Sequence, residues 1–248
     1  MIKIEYVNKK IAILYLDRAE KLNAMNFEFW EELPIKIAEL ENNEKLKTVI
    51  IMGEGKAFTA GLDIMGFMKT IQEKTESMKG VTKREYLYKL ILNMQKGFNM
   101  IANGKNVYIA AVHGYCIGGG LDMISACDIR IASKDAIFSL RETKVGIVDD
   151  LGSLNRLPNI IGEGETRLLA FTGKDIDAEE ALRIKLINLI FENKEELTKE
   201  AIKLAKEISR NKKDVLEGVK DVLNYNLTHS AEDGLNYVAL RNSSFLEI

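Results

Sequence analysis

Three consecutive glycines at 118–120 follow the apolar run VYIAAV (107–112) and precede a lone acid, Asp122, in an otherwise apolar segment. Glycine has no Cβ, so these residues let backbone N–H groups approach a ligand closely. The segment after them, LDMISACD, predicts a short helix, whose N-terminus adds unpaired donors and the positive end of the helix dipole. This arrangement favours negative charge, either a phosphate or a developing oxyanion. Close packing of a helix against a strand is the competing structural explanation.

A second glycine-containing loop, AFTAGLDI (57–64), decides between these explanations. The phosphate-binding patterns G-x-x-x-x-G-K-[ST] and G-x-G-x-x-G are absent from the sequence. The second loop also follows a predicted buried strand, so both loops can lie at the same edge of a sheet. One N–H group from each loop would then converge on a single oxygen. The sequence therefore predicts an oxyanion hole for a carbonyl, most usefully a thioester, whose enolate needs such stabilisation.

The elements that must position these loops follow an alternating order. Apolar, β-rich runs predict strands at 11–17, 46–53, 107–112, 129–133 and 136–140. Helical spacing predicts one helix over 27–42 and another from Tyr86 onward, after a charged polar stretch that runs to about Glu85. The repeated strand–turn–helix order indicates an α/β protein of stacked ββα units.

Past residue 190 the pattern becomes helical, with three amphipathic stretches and no strand signal between them. We therefore predict a core over 1–190 that carries the active site, followed by a helical region over 191–248. Because three short helices have little core of their own, we expect this region to pack on something else, plausibly another subunit.

Composition excludes several function classes. The chain has 248 residues, of which 46% are hydrophobic, enough for one large domain. A net charge of −2 provides no electrostatic footprint for nucleic acid or an anionic membrane. No secretory or membrane-spanning segment is evident, so a cytoplasmic location is expected. Cys116 and Cys127 are predicted to be reduced thiols in a core, and no cluster has metal-ligand spacing, so we expect no metal.

Four segments together resemble the crotonase (enoyl-CoA hydratase/isomerase) superfamily: LDRAEKLNAM (16–25), KAFTAGLD (56–63), HGYCIGGGLDMISACDIR (113–130) and LNRLPNIIG (154–162). The resemblance implies a crotonase-like spiral of ββα units with a C-terminal helical subdomain used in a homo-trimer or hexamer. It implies that the N–H groups of Leu62 and Gly119 are the oxyanion donors. It also implies that the bound CoA thioester is lined by Ala60, Gly61, Leu62, Asp63 and Ile64, with Gly119. CoA is then part of the substrate, and no separate cofactor is expected.

The acids resemble one subfamily in particular. Asp122 and Glu142 stand where the hydratases of this superfamily have two glutamates, and Asp150 follows eight residues after Glu142. This set is similar to that of the Δ3,5-Δ2,4-dienoyl-CoA isomerases, which shift two double bonds toward the thioester. The resemblance implies that Asp150 is the base at C2, Glu142 the acid at C6, and Asp122 a residue that orients Glu142.

Alternatives remain open at this point. Asp149 adjoins Asp150 where the subfamily has a small apolar residue. Only one of the two side chains is expected to face the pocket, and we predict that it is Asp150. The pair could also be a plain helix N-cap. His113 is expected to be a hydrogen-bonded structural residue. A 2-enoyl-CoA hydratase that uses Asp122 and Glu142 is the main rival function, and a non-catalytic RNA-binding homologue is the second.

Overall fold

The computed structural model describes residues 1–244, so the last four residues of the predicted C-terminal region lie outside the described chain. Strands β1 to β9 are, in order, Ile2–Asn8, Ile11–Leu16, Thr48–Gly53, Val107–Val112, Tyr115–Ile117, Ile129–Ser133, Ile137–Ser139, Ile176–Asp177 and Leu189–Phe191. Helices α1 to α9 are Phe27–Glu41, Ile64–Thr75, Gly80–Asn103, Gly119–Ala126, Ser153–Thr172, Ala178–Arg183, Lys194–Ile208, Lys213–Asn226 and Ala231–Ser243. Two short 3₁₀ turns, Ala19–Lys21 and Glu142–Val145, complete the described elements.

The strands form a larger and a smaller sheet. The larger sheet has the order β1-β2-β3-β4-β6-β9, with β1 antiparallel to β2 and every other pair parallel. The smaller sheet has the order β5-β7-β8. The chain places β4 in the larger sheet and β5 in the smaller one before it enters α4, and β6, β7 and α5 repeat this path. This is the predicted α/β arrangement of ββα units.

Both faces of the larger sheet are buried, which explains why its strands are continuous apolar runs. Alternate side chains of each strand point to opposite faces. One set, which includes Leu14, Ile51 and Ala110, packs with α1, α3 and α4. The other set, which includes Ile13 and Ile50, packs under α7. The loop at 57–64 thus follows a strand of a sheet that is covered on both faces, whereas the glycines at 118–120 follow β5 of the smaller sheet.

Several features differ from the sequence-based expectations, among them the short strands β5, β8 and β9, which the sequence does not predict. Strand β1 was not predicted, because it is an edge strand whose residues are largely exposed. Helix α2 and the first turns of α3 fall in the charged polar stretch before Tyr86, where the sequence predicts no helix. Of the residues in α2, only Phe67 and Thr75 are buried, so the helix has a weak apolar signal. Among residues 1–244, no helix is both long and apolar enough to span a bilayer.

The predicted C-terminal region is attached to the core of its own chain. Leu197, Ala201 and Ala205 of α7 are fully buried against the larger sheet. Lys220 of α8 is buried, and its ammonium donates to the carbonyls of Ile101 (2.8 Å) and Asn106 (3.1 Å). We expected this region to pack on another element, and α7 does so on the larger sheet of its own chain. Its role in assembly stays a prediction.

Candidate active site

The two glycine loops lie side by side. The Thr59 N–H donates to the Tyr115 carbonyl at 2.8 Å, and the Ile117 N–H donates to the Thr59 carbonyl at 3.1 Å. Gly61 has a positive φ of 85°, and a Cβ there would lie 2.6 Å from the Ile117 carbonyl oxygen. Only glycine allows this backbone conformation and this close approach without strain. The loops therefore meet at one edge of the sheets, as the sequence predicts.

The two predicted oxyanion donors are available in this arrangement. Leu62 follows Gly61, and Gly119 is the first residue of α4. Within the described chain, neither the Leu62 N–H nor the Gly119 N–H donates a hydrogen bond to another group. Gly118, the residue before Gly119, has a φ of 53°, and its N–H donates to the Ser139 carbonyl at 2.9 Å. Free donors beside an unusual turn are what an oxyanion hole requires, although the roles of Leu62 and Gly119 remain predictions.

The other residues predicted to line the thioester have structural partners of their own. The Asp63 carboxylate caps α2 by accepting from the Gly66 N–H at 3.1 Å, and it forms an ion pair with Arg18 at 2.7 Å. The Arg18 guanidinium holds the pKa of Asp63 below its usual value. The Ala60 N–H donates to the Leu22 carbonyl, whereas Ile64 is 44% exposed. Asp63 therefore fixes the loop through its side chain.

Three carboxyl groups meet beside these loops. One oxygen from each of Asp122, Glu142 and Asp149 lies within 4.8 Å of the others. Asp122 is 2% exposed, in the first turn of α4, and accepts from the Ser153 N–H at 2.7 Å. Glu142 begins a 3₁₀ turn, and its Oε1 lies where a Cβ on Gly118 would come within 2.6 Å. The acids thus adjoin the turn that leads to the Gly119 donor.

Burial and mutual repulsion favour the protonated forms of these acids. Burial, followed by the charge of Asp149, raises the pKa of Glu142 to about 7. Burial raises the pKa of Asp122 well above its usual value, with Asp149 and then Glu142 adding to the effect. Burial also raises the pKa of Asp149. A carboxylic acid that still holds its proton near neutral pH is suited to general acid catalysis.

The structure separates the two neighbouring aspartates. Asp149 joins Asp122 and Glu142, whereas the Asp150 side chain is exposed and lies outside that cluster. This arrangement differs from the prediction that Asp150 is the member of the pair that faces the pocket. Asp150 is still near enough for its charge to raise the pKa of Glu142, and Gln95 donates to its carbonyl at 2.6 Å. Its assignment as the C2 base therefore stays a prediction.

The remaining candidates behave as structural residues. His113 is 2% exposed, contacts the Gly55 carbonyl at 3.2 Å, and has a pKa lowered to about 4 by burial and by Lys194. Cys116 and Cys127 are free and buried, as predicted. The three clustered carboxylates offer oxygen ligands of the kind that hard cations prefer. That no metal is needed remains an expectation.

Comparison with known proteins gives the family. The family model for enoyl-CoA hydratase/isomerase matches residues 6–245. The chain belongs to the enoyl-CoA hydratase/isomerase family. The predicted fold is confirmed by its likeness to the crystal structure of enoyl-CoA hydratase from Thermoplasma volcanium GSS1. The two structures align with a TM-score of 0.85 at 28% sequence identity, and the alignment covers 98% of this chain and 90% of the other.

Curated members of the family carry two kinds of name. The mitochondrial Delta(3,5)-Delta(2,4)-dienoyl-CoA isomerase of Dictyostelium discoideum is 41% identical over 96% of this chain and 80% of its own length. The human protein of that name is 38% identical over 99% of this chain and 75% of its own. The short-chain-enoyl-CoA hydratase of Clostridium acetobutylicum is 36% identical but covers 82% of this chain and 73% of its own. The isomerases thus match over more of the chain.

We predict that Glu142→Gln makes the protein more stable than wild type at pH 8 and that this advantage shrinks toward pH 5. The raised pKa means that the favourable contribution of Glu142 is fully present below about pH 4.5 and is lost as pH rises through about 7. The difference in the free energy of unfolding at pH 8 should be on the order of 1–3 kcal/mol. Urea unfolding across pH measures it.

Glu207→Gln, at an exposed position of α7, is the matched control and should show no such pH-dependent difference. A Glu142→Gln protein whose stability follows the wild-type curve in parallel would show that Glu142 ionises normally in the folded state.

Proposed function

We propose that this protein isomerises 3,5-dienoyl-CoA to 2,4-dienoyl-CoA through a thioester enolate. The observation that carries the proposal is the position of Glu142, a partly buried acid with a pKa of about 7 that lies against Gly118 of the oxyanion loop. The 41% and 38% identical relatives that are named for this reaction support the same substrate. No cofactor beyond the CoA of the substrate is required.

The reaction moves one proton and two double bonds. A base removes a proton from C2, and the electrons of that C–H bond form the C2=C3 double bond of the product. The C3=C4 electrons become C4=C5, and the C5=C6 electrons take a proton at C6. Negative charge accumulates on the thioester oxygen in the intermediate, which is where the N–H groups of Leu62 and Gly119 would stabilise it.

The acids divide this work in the proposed mechanism. Asp150, the more exposed of the paired aspartates, removes the C2 proton. Glu142, partly buried and with its pKa raised to about 7, delivers the C6 proton. Asp122 is buried beside Glu142 and is fixed by the Ser153 N–H, so it orients the acid without reaching the substrate itself.

We expect 3,5-dienoyl-CoA to be a far better substrate than 2-enoyl-CoA when both are offered to the purified protein. Asp150→Asn should reduce isomerisation at least about a hundredfold, the low end of general-base contributions. Exchange of the C2 proton with deuterated solvent should fall with the rate. In Glu142→Gln that exchange can persist while delivery at C6 fails. The absorbance of the conjugated product and mass spectrometry of the substrate measure the two steps.

Faster hydration of 2-enoyl-CoA than isomerisation would instead favour the hydratase function, which the 36% identical hydratase relative keeps as the second candidate. Full isomerase activity in Asp150→Asn would contradict the assignment of the base.

The oxyanion hole has its own test. We predict that Gly119→Val reduces kcat at least about a hundredfold, as loss of an oxyanion donor typically does. A Cβ at Gly119 would lie 3.0 Å from the Met25 sulfur and 3.7 Å from the Trp30 ring, and valine adds two further methyl groups, so either Met25 or the turn that carries the donor must shift. Gly164→Val is the control, because nothing lies within 4 Å of a Cβ there. Near-normal kcat in a folded Gly119→Val protein would remove Gly119 from the oxyanion hole.

The assembly is also a proposal: we expect a trimer or a dimer of trimers formed through the predicted region 191–248. Exposed apolar side chains on α8 and α9 support it, namely Val215, Val219, Leu223, Leu235 and Leu240. Light scattering at micromolar concentration should give three or six times the 27.9 kDa chain mass. A monomeric mass would contradict the proposal. The cytoplasmic location and the absence of nucleic-acid binding likewise stay predictions.

A further inference from the structure

Asp149 is an acid that the proposed mechanism does not use, yet it lies in the cluster. Both of its carboxylate oxygens are buried and lack a hydrogen bond of good geometry within residues 1–244. The Asp122 carboxyl, the N–H groups of Leu154 and Gly152 and the Ser153 hydroxyl nevertheless lie close enough to lower the Asp149 pKa, against the larger upward effect of burial. It is not the N-cap of α5. That helix has Gly152 at its N-cap with no side-chain cap, and its first N–H, that of Ser153, donates to Asp122. Neither aspartate is thus the N-cap residue of α5, although N–H groups at the start of that helix lie near the Asp149 carboxylate.

The surroundings of Asp149 supply few compensating charges. Within the described chain, no lysine or arginine forms an ion pair with Asp122, Glu142 or Asp149. Arg156 of α5 is the nearby cation, but its guanidinium donates to the Leu151 carbonyl and to the Asn99 amide oxygen. The Cys116 thiol on β5 is buried and neutral.

Three carboxylates this close cannot all ionise without a large energetic cost, so the cluster must keep a proton. The last proton shared by three crowded carboxyls is held more tightly than the last proton shared by two. Asp149 is the member that turns a pair into a triad. It also adjoins Asp150 in the chain, and its charge raises the pKa of both Glu142 and Asp150.

We propose that Asp149 is a positioning residue that keeps the last proton of the carboxyl triad in place for Glu142 to deliver at C6. The proposal rests on the proposed isomerase function for its kinetic consequence. The shared proton itself follows from the packing of Asp122, Glu142 and Asp149. With Asp149 in place, the enzyme can keep its acid protonated at a higher pH than Asp122 and Glu142 could alone.

The test is the pH profile of kcat/KM for 3,5-dienoyl-CoA in wild type and in Asp149→Asn. Removing the Asp149 charge lowers the pKa of the acid and of the base together, so the whole bell-shaped profile should move toward acid pH. On the alkaline side of the profile, each unit by which the pKa of the acid falls lowers kcat/KM about tenfold. We therefore expect kcat/KM at pH 8 to fall at least about threefold, while at pH 6 it stays within about twofold of wild type.

Two matched variants sharpen the result. Asp149→Ala removes the same charge without an amide and should shift the profile in the same direction. Asp177→Asn removes an exposed carboxylate at the start of α6, where asparagine caps equally well, and should leave the profile unchanged. A uniform loss of kcat/KM at every pH in Asp149→Asn would show a merely structural role and overturn the proposal.

A readout without substrate separates this proposal from the proposed function. Infrared titration of the wild-type protein should show the band of a protonated buried carboxyl that persists above pH 7. As the pH is raised, this band should be lost at a lower pH in Asp149→Asn than in wild type. This result would stand even if no dienoyl-CoA were converted. Identical infrared titrations would overturn the proposal. So would activity that is lost in EDTA and restored by Mg²⁺, because a cation would then neutralise the triad.

Discussion

The repulsion between three carboxyl groups in one buried space is the constraint on which the site depends. Asp122, Glu142 and Asp149 come from three separate segments, and only the fold holds them within 4.8 Å. Such a cluster destabilises the folded protein when it is ionised. The packing around the cluster must offset this destabilisation. Helix α4, which is buried along its whole length, is part of that packing. Function here is obtained at some cost in stability, as is common at active sites.

The same helix connects acid chemistry with oxyanion stabilisation. Its first residue, Gly119, is the proposed donor, and Asp122 lies one turn further on the same rigid element. Gly118 allows the Glu142 carboxyl to approach the turn, because any side chain there would collide with it. Donor and acid are therefore positioned by one turn, and a displacement of that turn would disturb both.

Much of this arrangement could be predicted from the sequence, for identifiable reasons. The interior strands are apolar runs because both faces of the sheet are buried, and the loop at 57–64 follows one of them. The glycines at 118–120 follow another after the short strand β5, which the sequence does not indicate. Strand β1 and helix α2 could not be found in this way, since each presents mostly exposed side chains and lacks a strong period. The orientation of Asp149 was also beyond the sequence. In the sequence DD, either residue can turn inward, and the choice depends on how the loop before Ser153 packs on α4.

The contact of Lys220 with the core has a consequence for how the chain can be divided. The ammonium binds the Asp128 carboxylate at 3.0 Å, two residues beyond the last residue of α4. The Asp128 carboxylate in turn accepts the Tyr108 N–H of β4 at 2.7 Å. Shortening the protein before α8 would remove the Lys220 counter-ion of the Asp128 carboxylate, close to the end of the helix that carries the proposed donor. Through Lys220, α8 therefore contributes to the structure of the core that carries the proposed site.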